Sequence, residues 1–190
     1  GSMEGTSIKQ AKEALQMALD RLSPGDRFNV IEFNSVTKAL FGAPAPVDTA
    51  TLAKAKSFVA ALRARGGTEM KPALEAALTR DVAPGFVRQV VFLTDGAVGN
   101  EGELVQLIRE RLSDRRLFTI GIGSAPNSHF MTKSAQFGRG TFTYIGDVRE
   151  VEEKMAKLFA KIEAPVLKDV AIRWADGSNV ETFPPRVPDL

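Results

Sequence analysis

Between Thr6 and Leu22 the apolar positions Ile8, Ala11, Leu15, Ala18 and Leu22 recur at steps of three and four. That spacing predicts an amphipathic helix, with Thr6 or Ser7 available to cap it, and "SPGD" stops it. The next run, "RFNVIEF", is apolar on both parities and predicts a strand buried within a sheet. "NS" turns the chain into a short run, "VTKALF", so the two predict an antiparallel hairpin, and "GAPAPVD" reads as a loop. A second helix is expected on the stripe Leu52, Ala55, Val59 and Leu62, ended by Gly66-Gly67. Thr68 then precedes a short helix from Pro72 to Leu78. From there strands and helices alternate. "RQVVFLTDG", "RLFTIGIGS" and "TFTYIG" are strands, while "EGELVQLIRERL" and "SHFMTKSAQFG" are helices. A last helix runs from Val148 to Ile162, with Val151, Met155, Leu158 and Ile162 in line.

This order predicts an α/β fold: a doubly wound, mostly parallel, Rossmann-like sheet with helices on both faces and one antiparallel edge strand. The pattern changes after Pro165. "VLKDVAIRW" alternates, an Asp-Gly turn pair follows, and the end is rich in Pro. One domain is therefore expected over residues 1–164, with 165–190 starting a following β-rich domain or tail.

The balance of 44% hydrophobic and 25% charged residues suits a single domain with a buried core. Lys and Arg total 25 against 23 Asp and Glu, so no global field favours nucleic acid or an anionic membrane. With no Cys, thiolate nucleophiles, disulfides and zinc–thiolate sites are excluded. No apolar run approaches the ~20 residues of a membrane span, so direct insertion is not expected. The basic run "RERLSDRR" falls at a predicted helix C-terminus, where cations meet exposed carbonyls, and reads as a solvated helix end rather than an anion site.

Ligands of open parallel sheets sit at the carboxyl ends of the strands. Three loops expected there carry oxygen side chains: "GSMEG" with Ser2, "GGTEM" with Thr68, and "FLTDG" with Asp95. Each has an ordinary reading as well. Gly1-Ser2-Met3 could be left by a cloning vector, Thr68 could cap a helix, and Asp-Gly after a strand is a common turn. Together they offer hard oxygens and nothing softer, which suits Mg²⁺, Mn²⁺ or Ca²⁺ and neither zinc nor copper. Rival chemistries find less support. "GIGSAPN" follows a strand, but Pro126 stands where a dinucleotide fingerprint needs its third small residue, and no P-loop occurs. A hydrolase needs a nucleophile beside a base, and His129 is the only His.

The segments "GSMEGTSIKQAKEALQMALDRLSPGDRFNVIEFNS", "GGTEMKPALEAAL" and "VVFLTDGAVGNE", in that order, resemble the signature segments of a von Willebrand factor type A domain. The nearest flavour is its inter-alpha-trypsin-inhibitor heavy-chain-like branch, including bacterial members. The resemblance covers roughly Gly1 to Glu163 and implies a non-enzymatic adhesion domain with a metal-ion-dependent adhesion site. In that family a D-x-S-x-S loop gives an Asp and two Ser, and later loops give a Thr and an Asp. Matched by position, the second Ser is Ser2, the Thr is Thr68 and the Asp is Asp95. The metal's open position is filled by an acidic side chain of a protein partner, and the setting implied is extracytoplasmic. A metal-free scaffold domain of a surface protein is the first alternative, and a nucleotide-binding enzyme the second.

The family's first Asp and Ser would precede Gly1, as would the strand leading to them. That strand normally lies between those expected at Arg27–Phe33 and Arg88–Thr94. Its absence would leave backbone groups unpaired at roughly 1–3 kcal/mol each. Two consequences are expected. Metal binding by this chain should be weak or absent, since charge and ligand count set divalent affinity. The gap should close up or be filled, the sharper expectation being strand addition by "VLKDVAIRW" from the same or a neighbouring molecule, a route to homo-oligomers by strand exchange.

Overall fold

The apolar stripe after Thr6 forms helix α1, Thr6–Asp20, in the computed structural model, which describes residues 3–78, 82–95, 99–123 and 126–163. No side chain caps α1. Gly5, at φ 75°, makes the entry turn, which leaves Thr6 and Ser7 inside the first helical turn.

Three strands run parallel in the order β5-β6-β7: β5 Gln89–Thr94, β6 Arg116–Ile122 and β7 Phe142–Ile145. Gln89 sits beside Arg116, and Ile122 beside Ile145. All of β6 is buried, as the middle strand of a sheet covered on both faces must be. One face carries α3 (Met70–Leu78), α4 (Glu101–Arg111) and α5 (Ser128–Phe137), joined through Leu74, Leu104, Ile108, Leu117, Phe130 and Met131. The other carries α1 and α6 (Val151–Ile162), joined through Ala11, Ala14, Ile120, Ile122, Met155 and Leu158. Strand period decides the split: Leu117 faces the first layer, and Phe118, Ile120 and Ile122 face the second. The architecture is the expected Rossmann-like α/β fold.

The remaining strands form antiparallel pairs. β1 (Arg27–Phe28) pairs with β4 (Ala45–Pro46), and β2 (Ile31–Phe33) with β3 (Thr37–Ala39). "RFNVIEF" was expected as one strand, and Asn29 divides it. Its Oδ1 accepts from the amides of Val30 and Phe41, and its Nδ2 donates to the Phe41 carbonyl at 2.8 Å, so a side chain takes over ladder bonds. Helix α2, Thr49–Ala61, stops short of Gly66-Gly67 because Leu62 turns extended. Its start is a full capping box: Asp48 accepts from the Thr51 amide at 2.7 Å, and Thr51 Oγ1 accepts from the Asp48 amide. It lies on α1 through Lys12 and Gln16, which donate to the carbonyls of Ala60 and Lys56.

No ladder bond joins β2 to β5 among the described residues. Between them runs a cleft of about 1920 Å³, walled by both strands and by α1, α3 and the end of α6. The rings of Phe33 and Phe92 stack across it with centroids 5.4 Å apart. For this reason β2, expected to be buried, is only half-buried along its length. The tail read as a β-rich segment lies outside the described residues.

The basic run at the end of α4 differs from a solvated helix end. Arg115 and Arg116 are buried, and Arg115 Nη1 donates to the Arg111 carbonyl at 2.9 Å, meeting a C-terminal carbonyl the helix leaves open.

Candidate metal centre

Asp95 follows directly on β5, whose last residue, Thr94, is buried. The side chain is half-buried, and its Oδ1 is closed off from solvent with no hydrogen-bond partner. An unmet carboxylate oxygen in such a place costs free energy unless a cation satisfies it. Its neighbours come from two other elements. Gly123, at φ 83° after β6, leaves so little room that a Cβ there would lie 2.7 Å from Ser7 Oγ and 3.8 Å from Asp95 Cβ. The first turn of α1 and the ends of β5 and β6 therefore meet at one point.

Thr68 is half-buried on the loop before α3. Because α3 begins at Met70, Glu69 holds the N-cap position and Thr68 is released from that role. The loop is fixed by the β2–β3 turn on both sides of Thr68. The Gly67 amide donates to Ser35 Oγ at 2.8 Å, and the Glu69 amide to the Asn34 carbonyl at 2.9 Å. Gly66 sits at φ 72°, where a Cβ would come within 2.8 Å of Ser35 Oγ, so both the turn and the close approach call for glycine. Thr68 and Thr94 both line the cleft. Ser2 lies outside the described residues, while its neighbour Met3 lines the same cleft and packs on the α1–α6 core.

Among the described residues no group of three or more His, Cys, Asp and Glu comes together to hold a metal. The donors available are one carboxylate with an orphaned oxygen and hydroxyls such as that of Thr68, a hard-oxygen set that fits Mg²⁺, Mn²⁺ or Ca²⁺. Around this edge runs a polar rim. Asn127 caps α5 by accepting from the Phe130 amide and donates to Glu101, whose other oxygen is 4.0 Å from His129 Nδ1. Lys71 hydrogen-bonds Glu103 and holds its carboxyl below the usual range, with Asn100 adding a second bond. Of the side chains flanking the loops, Met70 is buried in the core and shapes no rim. The sequence reading offered Ser7 only as a cap of α1 and did not single out Asn127, although an Asn three residues before Phe130 carries an N-cap spacing.

Comparison with known proteins gives a consistent result. A family model described as the von Willebrand factor type A domain matches residues 1–144. A von Willebrand factor A domain-containing protein of Dictyostelium discoideum is 31% identical over 191 residues, covering 100% of this chain and 20% of that protein. Human von Willebrand factor A domain-containing protein 5B1 is 34% identical over 185 residues, covering 96% of this chain and 15% of that protein. The chain thus spans about a fifth or less of the length of these curated relatives. Among solved structures, a von Willebrand factor type A protein from Catenulispora acidiphila superposes with a TM-score of 0.75 at 28% identity, over 85% of this chain and 40% of that one. Proximal thread matrix protein 1 of the mussel byssus, solved with zinc in its MIDAS motif, gives 0.59 at 16% identity, over 80% of this chain and 41% of that one. At that identity the likeness is one of fold alone.

Proposed function

This chain belongs to the von Willebrand factor type A domain family, and from that premise we propose that it is a non-enzymatic adhesion module that grips an acidic side chain of a protein partner through a divalent cation. Domains of this family generally mediate protein interaction. The observation that carries the metal reading is the buried, partnerless Oδ1 of Asp95. Asp95 would hold the ion as its carboxylate ligand, and the hydroxyls of Thr68 and Ser2 would add neutral oxygens. The ion itself would supply a positive centre with one open position for the partner's carboxylate. The chain's own residues do the rest. The β2–β3 turn fixes the Thr68 loop, Gly123 leaves room where the ends of β5 and β6 meet α1, and Glu101, held by Asn127, lies on the polar rim.

With one carboxylate and two hydroxyls the ion is held weakly, and a D-x-S segment preceding Gly1 would raise charge and ligand count together. We place the domain in the inter-alpha-trypsin-inhibitor heavy-chain-like branch and in an extracytoplasmic setting, both on the resemblance of its three segments. Among the described residues no helix is long and apolar enough to cross a membrane.

The test is binding of the chain to immobilised acidic peptide in Mn²⁺ and in chelator, with Asp95→Ala and Thr68→Ala beside it. Capture is expected in Mn²⁺ alone, lost in Asp95→Ala and reduced in Thr68→Ala. Equal capture in chelator would favour the scaffold reading instead.

A further inference from the structure

The parallel strands end at β7, and the side of β7 away from β6 meets no other strand among the described residues. The Thr119 amide donates to the Thr141 carbonyl and the Gly123 amide to the Ile145 carbonyl, each at 3.1 Å. Strand alternation then turns the backbone N–H and C=O groups of Phe142 and Tyr144 outward, where they lie open to pairing. Nothing on β7 itself guards this edge: Phe-Thr-Tyr-Ile carries no charge and no Pro. The charge stands beside it, on α6. Lys154, Lys157 and Lys161 share one face of that helix and, with Thr141 and Thr143, line a hollow of about 190 Å³ along the strand. Lys157 pairs with Glu153, while Lys154 and Lys161 hold no salt bridge among the described residues. The two faces of the edge differ. Phe142 packs into the α3–α5 layer, so exposed Tyr144 stands on that side and the threonines stand with the lysines. The Tyr144 hydroxyl donates to the Gly123 carbonyl at 2.9 Å, which fixes its ring.

We propose that this edge takes up an extended segment of a partner protein in which Asp or Glu alternates with apolar residues, added as a strand beside β7. The proposal is independent of the metal reading and of Asp95. Backbone bonds at Phe142 and Tyr144 supply the pairing, and the two faces of the edge supply the selection. Lys154 and Lys161 stand about 10 Å apart along the helix. Alternate side chains of a strand are about 7 Å apart, so acidic residues at every second position come within reach of more than one lysine. The intervening side chains then face the Tyr144 ring, an arrangement that suits Val or Ile. Charge also decides against a second copy of this chain as the occupant. Two β7 edges paired antiparallel about a twofold axis would bring both α6 helices to the same face of the joined sheet and set lysines against lysines. A single carboxylate, enough for a metal ion, engages only one lysine here.

The probe is a fluorescent peptide, Gly-Glu-Val-Glu-Val-Glu-Gly, titrated with the 190-residue chain in chelator, which keeps the metal edge silent. Anisotropy is expected to show saturable binding, and in a heteronuclear spectrum the amides of Phe142 and Tyr144 are expected to shift most. Lys154→Gln/Lys161→Gln is expected to weaken binding by about fivefold or more, and Asp95→Ala to leave it unchanged. The same peptide with Gln in place of each Glu leaves the protein untouched and is expected not to bind. No binding, equal binding of the Gln peptide, or equal binding by the lysine variant overturns the proposal. Charge-dependent binding that leaves the Phe142 and Tyr144 amides unmoved overturns it as well, since that is attraction without strand pairing. Binding lost in Asp95→Ala puts the peptide at the metal edge and overturns it too. Failure in chelator leaves the Mn²⁺ test of Asp95 unaffected.

Discussion

Gly66 shows how much of the site depends on a residue with no chemistry of its own. Its φ of 72° and the 2.8 Å approach of Ser35 Oγ make Gly66→Ala costly, by about 1–2 kcal/mol for the backbone conformation alone. Urea denaturation should show that loss, and amide exchange at Glu69 should quicken as its bond to Asn34 loosens. Asp147 makes a pH-dependent contribution. Its hydrogen bonds from the Arg149 side chain and backbone take its pKa from 3.8 down to about 2. A depressed carboxylate favours the folded state above its unfolded pKa, and that contribution fades as the pH falls from 3.8 toward about 2. Asp147→Asn is therefore expected to be less stable than the parent at pH 6 and to approach it at pH 2, as read by thermal unfolding at both. Thr68 and Asp95 could be put forward from the sequence because family segments and strand ends pick out their positions. Gln10 was not: it is wholly buried on α1 with both amide atoms unpartnered, and periodicity assigns no partner to a polar residue in a core.

At the scale of elements, periodicity carried most of the information. The stripes at Val151, Met155 and Leu158 and at Leu52, Ala55 and Val59 fall within α6 and α2. What it missed were replacements of backbone bonding by side chains, as at Asn29 and Arg115, which depend on residues distant in sequence or on the end of a helix. The capping box at α2 is the cleanest place to measure such a bond. Asp48→Ala removes the acceptor of the Thr51 amide and is expected to cost about 1 kcal/mol in denaturant. In the middle of the sheet, Ile120→Ala empties a site with no exposure, and a loss of roughly 2–5 kcal/mol is expected by the same measurement. Replacing the Asp48 cap should shift stability far less than emptying Ile120, because one bond is exchanged with water and the other site cannot collapse.

For the whole molecule, the order of strands and helices was readable, and the half-burial of β2 was not. Burial of a strand belongs to what lies beside it, and β2 has β3 on one side and the cleft on the other. The metal reading also belongs to this scale, since its donors come from loops far apart in the chain. Calcium, magnesium and manganese should each raise the melting temperature if the edge of the sheet holds an ion, by mass action on the folded state. Asp95→Ala should remove that increment, and scanning calorimetry with and without chelator measures it.

Helix α1 lies on both sides of the seam. It packs on α6 and β6 through Ala11 and Ala14, and on the antiparallel half through Leu19 beside Phe28 and Val59. Among the described residues no ladder joins β2 to β5, and there the two halves share a strut and not a continuous sheet. Such a body should open in unequal cooperative units. Hydrogen exchange followed by mass spectrometry is expected to find β1 to β4 and α2 exchanging together and early, while β5 to β7 stay protected until the whole chain unfolds. Uniform protection on both sides of α1 would mean that the strut alone couples the halves into one melting unit.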